Sequence, residues 1–248
     1  MNRFLRLLKS IIRVESSKKR PKGLFLHIQK TAGTSIVQIA KEHYGFNMSS
    51  HGDHVGKSRN EYLNTKFVSG HFGFNFAREL MKDRYSFTFL RNPEERVLSM
   101  YYFLRGQKKN LFPMYKVAKD LSLEEFLKAG SSDPMIKKRL WNNQVWQLSY
   151  GWANLENKTI DDFEPSELLT LAKENLDSFN HVGFTETFEK DRDVILRGLQ
   201  LPIPNVIVMT NVSKKPKEEL SKEVINLLHG LTELDRELYT YAKNKFQN

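Results

Sequence analysis

The chain has 248 residues, 40% of them hydrophobic and 12% aromatic, enough to bury the core of one α/β domain and too globular in composition for a disordered or fibrous chain. It carries 39 Lys and Arg against 29 Asp and Glu, a net charge of +10, which directs it to anionic partners such as a nucleotide, an acidic glycan or a membrane surface without choosing among them. It has no cysteine, which excludes a disulfide scaffold, a cysteine-ligated metal and a thiol nucleophile, and nucleic acid is not expected because zinc spacing, helix-turn-helix and RNA-binding aromatic signatures are all missing.

Residues 1–14 place Phe4, Leu7, Leu8, Ile11 and Ile12 at helical spacing among Arg3, Arg6, Lys9 and Arg13, the pattern of a basic amphipathic helix. The charges are too regular for a membrane span and no small-residue cleavage site follows. Two readings stand side by side: a helix packed on the domain, or a peripheral contact with an anionic membrane. Residues 15–22 read as a polar connector, so the expected division is an N-terminal helix and linker over 1–22 and one domain over 23–248.

The next stretch organises the rest. Leu24, Phe25, Leu26 and Ile28 form a short buried strand, and an apolar helix begins after Thr34 and Ser35. A loop between a strand and a helix N-terminus is an anion site: backbone N–H groups lack helical partners, the helix dipole favours negative charge, and Gly33 permits close approach. Thr31, Thr34 and Ser35 add hydroxyls, and Lys30 sets a cation at the mouth. The Gly-x-x-x-x-Gly-Lys-Ser/Thr spacing of triphosphatases is missing, since Lys30 precedes Gly33. A second Walker-like run, residues 52–58, is one residue short, follows no apolar strand and reads as a surface loop. It sits in residues 46–65, expected to be loop with one short helix, where His51 and His54 read as solvated rather than metal-bound.

Residues 66–70 read as a strand ending at His71, where an α/β sheet presents groups to its ligand crevice. Residues 85–90 alternate as a strand that stops at Arg91. A helix follows with Asn92 as N-cap, Pro93 in its first turn and Glu94 and Glu95 at the positive end of its dipole. Arg91 and Ser99, about two turns along, can converge on one phosphate. Residues 107–119 read as a basic loop, Ser122 with Glu125 as a capping box, Asp133-Pro134 as the start of one helix running to Ser149, and 166–177 as a helix. Residues 181–184 read as a strand and 205–209 as a strand or extended segment, helices cover 194–199 and 218–246, and 210–215 is a basic turn.

The run from His27 to Ser35 closely resembles the 5′-phosphosulfate loop of carbohydrate sulfotransferases related to the heparan sulfate 2-O- and 6-O-enzymes and their bacterial relatives, with Gln29 where those have proline. The run from Arg91 to Tyr101 resembles their 3′-phosphate motif, Gly70-His71-Phe72 with Phe74 the segment that supplies a general base, and Asn143 and Gln144 a segment that lines the site. Residues 210–215, with Asn211 and Ser213, resemble a late donor-site loop. The resemblance implies a P-loop-like three-layer α/β fold with a central, mainly parallel sheet flanked by helices. It implies 3′-phosphoadenosine 5′-phosphosulfate (PAPS) as donor co-substrate, a saccharide hydroxyl as acceptor, and no required metal. Lys30 and His71 would be catalytic; Lys30, Thr31, Ala32, Gly33, Thr34, Ser35, Arg91, Ser99, Asn211 and Ser213 would bind donor; Asn143 and Gln144 would face the acceptor. A cytoplasmic location is the default expectation. The alternatives are an ATP-dependent phosphotransferase, disfavoured by the loop spacing, and a catalytically silent nucleotide-binding or membrane-surface protein. Oligomeric state is not legible.

Overall fold

The computed structural model describes residues 20–50, 52, 54–108, 112–154, 156–204 and 219–247. The helix expected over 1–14, His51, the strand expected at 205–209, and Asn211 and Ser213 all lie outside the described residues.

The strands β1 (Lys22–Leu26), β2 (Met48–Ser49), β3 (Phe67–Gly70), β4 (Arg84–Leu90) and β5 (His181–Phe184) form one sheet in the order β2-β3-β1-β4-β5. Every neighbouring pair is parallel. Parallel strands need crossovers, and helices supply them. The helix α1 (Gly33–Tyr44) connects β1 to β2, and α2 (Phe74–Met81) connects β3 to β4.

After β4 the chain runs through α3 (Pro93–Arg105), α4 (Pro113–Asp120), α5 (Leu123–Ser132), α6 (Pro134–Leu140), α7 (Asn143–Ser149) and α8 (Pro165–Leu176) before returning to β5. It ends in α9 (Phe188–Gly198), α10 (Lys222–Leu231) and α11 (Glu233–Phe246).

Side chains alternate across the sheet with the period of a strand. Leu24 and Leu26 of β1 join one core with Val68, Phe76, Ala77, Val145, Leu148, Leu168 and Leu238, under α2, α7, α8 and α11. Phe25 points the other way and packs with Phe87, Phe89, Ile36, Ala40, Ile195 and Leu196, under α1 and α9. These are the expected three layers. A third cluster, built on Val97, Tyr101, Phe126, Leu127, Leu140 and Leu228, joins helices beyond the sheet.

Three local expectations change. Residues 113–120 are a helix rather than part of a basic loop, with Pro93-like use of Pro113 in the first turn and Met114 and Ala118 buried. The helix expected from Asp133 to Ser149 is two, because Asn142 takes a left-handed conformation (φ 39°) that ends one and starts the other. His54 is not solvated. It is buried, with Nδ1 2.8 Å from Tyr62 Oη and Nε2 3.3 Å from the Ser69 carbonyl. The later part of the Walker-like run, Val55 to Ser58, is exposed loop as expected, and Ser58 caps a short 3-10 turn.

Candidate active site

Because the sheet is parallel, the ends of β3, β1 and β4 open on one edge, and His71, the loop after β1, and Arg91 stand side by side there. The loop is shaped from within. His27 continues the ladder by donating its N–H to the Gly70 carbonyl at 2.9 Å, and its ring stacks on Phe25 with centroids 4.9 Å apart. Lys30 (φ 71°) and Ala32 (φ 62°) are left-handed with Thr31 between them, an alternation that turns successive backbone N–H groups toward one point. The Thr31 hydroxyl donates to the Ile28 carbonyl at 2.7 Å, so its hydrogen closes the loop and is not offered to a ligand.

Gly33 is required by close approach. A Cβ there would lie 2.2 Å from His27 Nε2. The first turn of α1, with Thr34 half-buried and Ser35 buried, has no side-chain cap and no acidic residue. The start of α3 is the opposite case: Asn92 Oδ1 accepts from Glu95 N at 3.0 Å, and Glu94 and Glu95 occupy the turn. The start of α1 therefore suits an anion, while the N–H groups at the start of α3 are capped by Asn92 and faced by carboxylates of its own first turn.

The segments that carry the two cations of the site meet across β1 and β4. Arg91 Nη1 donates to the Lys30 carbonyl at 3.1 Å, and Arg91 Nη2 lies 3.5 Å from Glu95 Oε2. Lys30 Nζ sits 4.0 Å from the centre of the Phe103 ring. Burial first, and the like charge of Arg91 second, bring the Lys30 ammonium down from 10.5 to about 8. Burial also lowers Arg91, opposed by Glu186, whose Oε1 accepts from Asn92 N at 3.0 Å. Ser99 is buried on α3, one turn before Phe103.

On the other side of β1, His71 is held by its backbone N–H to the Gly52 carbonyl at 2.9 Å, and its ring centre is 4.9 Å from that of His27. Its Nδ1 is 3.3 Å from Gln29 Nε2, so the residue that departs from the sulfotransferase pattern touches the candidate base.

Asn143 and Gln144 lie just behind this edge, each 1% exposed. Asn143 Nδ2 donates to the Lys138 carbonyl at 3.3 Å. Gln144 grips the Arg91 backbone at both ends, accepting from N at 3.0 Å and donating to O at 3.0 Å. Sequence reasoning missed Gln147, one turn further along α7, whose Nε2 donates to the carbonyls of His27 at 3.1 Å and Phe72 at 3.0 Å. It also missed Asp235, a buried carboxylate on α11 that accepts from Val145 N at 2.8 Å and Gln144 N at 3.3 Å. The signal for Gln147 was its three-residue spacing from Gln144 on one helix; Asp235 had none.

Among the described residues no group of three or more His, Cys, Asp or Glu is placed to hold a metal, and no helix is long and apolar enough to cross a membrane.

Comparison with known proteins bears on this edge of the sheet. No curated protein matches the chain. Its fold is similar to that of a sulfotransferase from Alicyclobacillus acidocaldarius, at 13% identity and a TM-score of 0.50, covering 92% of this chain and 96% of that one. The mouse sulfotransferase SULT7A1 complexed with PAP aligns over 92% of this chain and 85% of its own, at 11% identity and a TM-score of 0.38. The model of the sulfotransferase family matches residues 17–242, a span that takes in the loop after β1, His71, Arg91 and α7. With nearly the whole described fold inside that match, the chain belongs to the sulfotransferase family.

Proposed function

We propose that the protein transfers a sulfuryl group from PAPS to a hydroxyl, that of a carbohydrate, by in-line displacement. The observation that carries the reading is the bond from Arg91 Nη1 to the Lys30 carbonyl, 3.1 Å, which sets side by side the two segments that the resemblance assigns to the two charged ends of one nucleotide. The residues suit such a donor. The uncapped start of α1 and the left-handed Lys30 and Ala32 suit a 5′-phosphosulfate, and Arg91 with Ser99 suits a 3′-phosphate.

The donor, when bound, supplies an activated sulfuryl group and a bisphosphate leaving group. The chain's own residues do the rest. Lys30 sets a cation beside the leaving oxygen, and the N–H groups of the loop and of the first turn of α1 stabilise charge that builds there. His71 takes the acceptor proton. In this reading Nε2 is the base atom, which requires Gln29 to turn its carbonyl oxygen to Nδ1–H so that Nε2 carries the lone pair. Among saccharide acceptors, an acidic one suits the charge excess of the chain better than a neutral one.

The test is transfer of labelled sulfate from PAPS to a panel of neutral and acidic oligosaccharides, with thermal shift by 3′-phosphoadenosine 5′-phosphate against ATP, with and without magnesium. Stabilisation by the bisphosphate without magnesium and label on a saccharide are expected. Stabilisation by magnesium-ATP alone would replace this reading with phosphoryl transfer.

A further inference from the structure

The helix α7 carries no charged side chain, yet two of its glutamines hold four backbone groups of the site. Gln144 takes both the N–H and the carbonyl of Arg91, and Gln147 takes the carbonyls of His27 and Phe72. These groups belong to the segments that follow β4, β1 and β3, so seven residues of helix reach all three central strand ends. A primary amide carries a donor and an acceptor in one plane, and Gln144 uses both as a neighbouring strand would, one residue beyond the last ladder position of β4 at Leu90.

The helix is anchored from its far side. Asp235 accepts from the N–H groups of Gln144 and Val145, Asp235 N donates to Asn142 Oδ1 at 3.1 Å, and Asn142 N donates to the Leu231 carbonyl at 2.8 Å. At its other end Gly73 N donates to the Trp152 carbonyl at 2.8 Å. Gly73 has no room for a Cβ, which would lie 2.0 Å from the Tyr150 carbonyl, so the turn after His71 is pressed on the end of α7.

We propose that α7 is a brace that sets the spacing between the donor-binding and proton-accepting halves of the site. Gln144 is the positioning residue for Arg91, and Gln147 ties the phosphate loop to the segment that carries His71. Neither amide is placed to touch substrate in this role: both side chains are buried, Gln144 with both ends on the Arg91 backbone and Gln147 with its Nε2 on two backbone carbonyls. The proposal rests on the sulfotransferase reading and deepens it.

The experiment compares full-length wild type with Gln144→Met and Gln147→Met, which keep the side-chain length and remove the amide. Binding of 3′-phosphoadenosine 5′-phosphate is measured by calorimetry, transfer by the labelled-sulfate panel above, and folding by thermal melting. Gln144→Met should weaken the bisphosphate about 10- to 100-fold, the range for a displaced charged contact. Gln147→Met should keep its affinity within about threefold and lower kcat about 100-fold, as misplacement near 1 Å does. A purely structural role would lower both melting temperatures without splitting affinity from kcat, and that result overturns the proposal.

Hydrogen exchange at the Arg91 amide of wild type adds a readout that needs no variant: protection equal to that of the β4 ladder is expected, and loop-like exchange overturns the role of Gln144. If wild type fails to bind the bisphosphate, the sulfotransferase reading falls while the exchange result still decides whether Gln144 holds Arg91.

Discussion

The lysine beside the proposed scissile bond makes binding depend on pH in a calculable way. Lys30 loses its proton near pH 8 in the ligand-free protein, where burial and then Arg91 disfavour its charge. A bound phosphate supplies the missing counter-charge and should return Lys30 toward 10.5. Above pH 8 the protein must then take up a proton to bind, so affinity falls toward tenfold per pH unit. Between pH 7 and pH 9.5 the two values give a loss of about 30-fold, ~2 kcal/mol, trimmed toward tenfold by solvent reaching the half-buried side chain. Calorimetric titration with 3′-phosphoadenosine 5′-phosphate across that range, in buffers of different ionisation enthalpy, reads both the affinity and the proton uptake. Lys30→Arg, which does not deprotonate, should flatten the curve. A wild-type affinity unchanged from pH 7 to 9.5, or an equal fall in Lys30→Arg, would show that protonation of Lys30 does not govern binding. The same depression gives the ligand-free fold a stability that rises between pH 8 and 10.5, because there the unfolded chain holds a proton the folded one has released.

Three further outcomes are expected. His71→Ala should lower sulfate transfer at least about 100-fold while bisphosphate affinity stays within about threefold; normal turnover would remove His71 as the base. Gly33→Ala should weaken the bisphosphate at least about tenfold and lower the melting temperature, because its Cβ meets the His27 ring at 2.2 Å. Alanine is the better helix former by ~1 kcal/mol, so a stabilised variant would show that the close approach does not govern. Asp235 is raised by burial from 3.8 to about 6, and the folded chain holds the extra proton between those values. Stability from this group is therefore present below the lower value and lost as pH rises through the upper one, by up to ~3 kcal/mol. The melting temperature of Asp235→Asn relative to wild type should climb between pH 4 and pH 7, and a difference constant with pH would contradict that sign.

Much of the sheet and of the candidate site was legible before the fold was seen, because the signals are local. The aromatic alternation of residues 85–90, the Asn92 cap with Pro93, and the strand-loop-helix around Gly33 each state their structure within a dozen residues, and each stands as expected. What escaped depends on distant partners. His54 looks like a solvated loop histidine until Tyr62 and the Ser69 carbonyl close on it. The lysines of residues 113–120 hide a face that only Met114 and Ala118 bury. Asn142 breaks a helix whose periodicity runs on through it, since a left-handed residue leaves little mark in hydrophobic spacing. The roles of Gln144 and Gln147 were least legible of all, because a buried amide bonded to backbone is read from the chain it meets and not from its neighbours in sequence.

The carboxylate of Glu95, one turn from Arg91 and 3.5 Å from its guanidinium, has a consequence for turnover. Under the proposed chemistry a departing product does not leave that guanidinium bare, because a tethered anion waits to take its place. Arrival of donor would then exchange one negative partner for another, which would lower the net hold of Arg91 on the nucleotide.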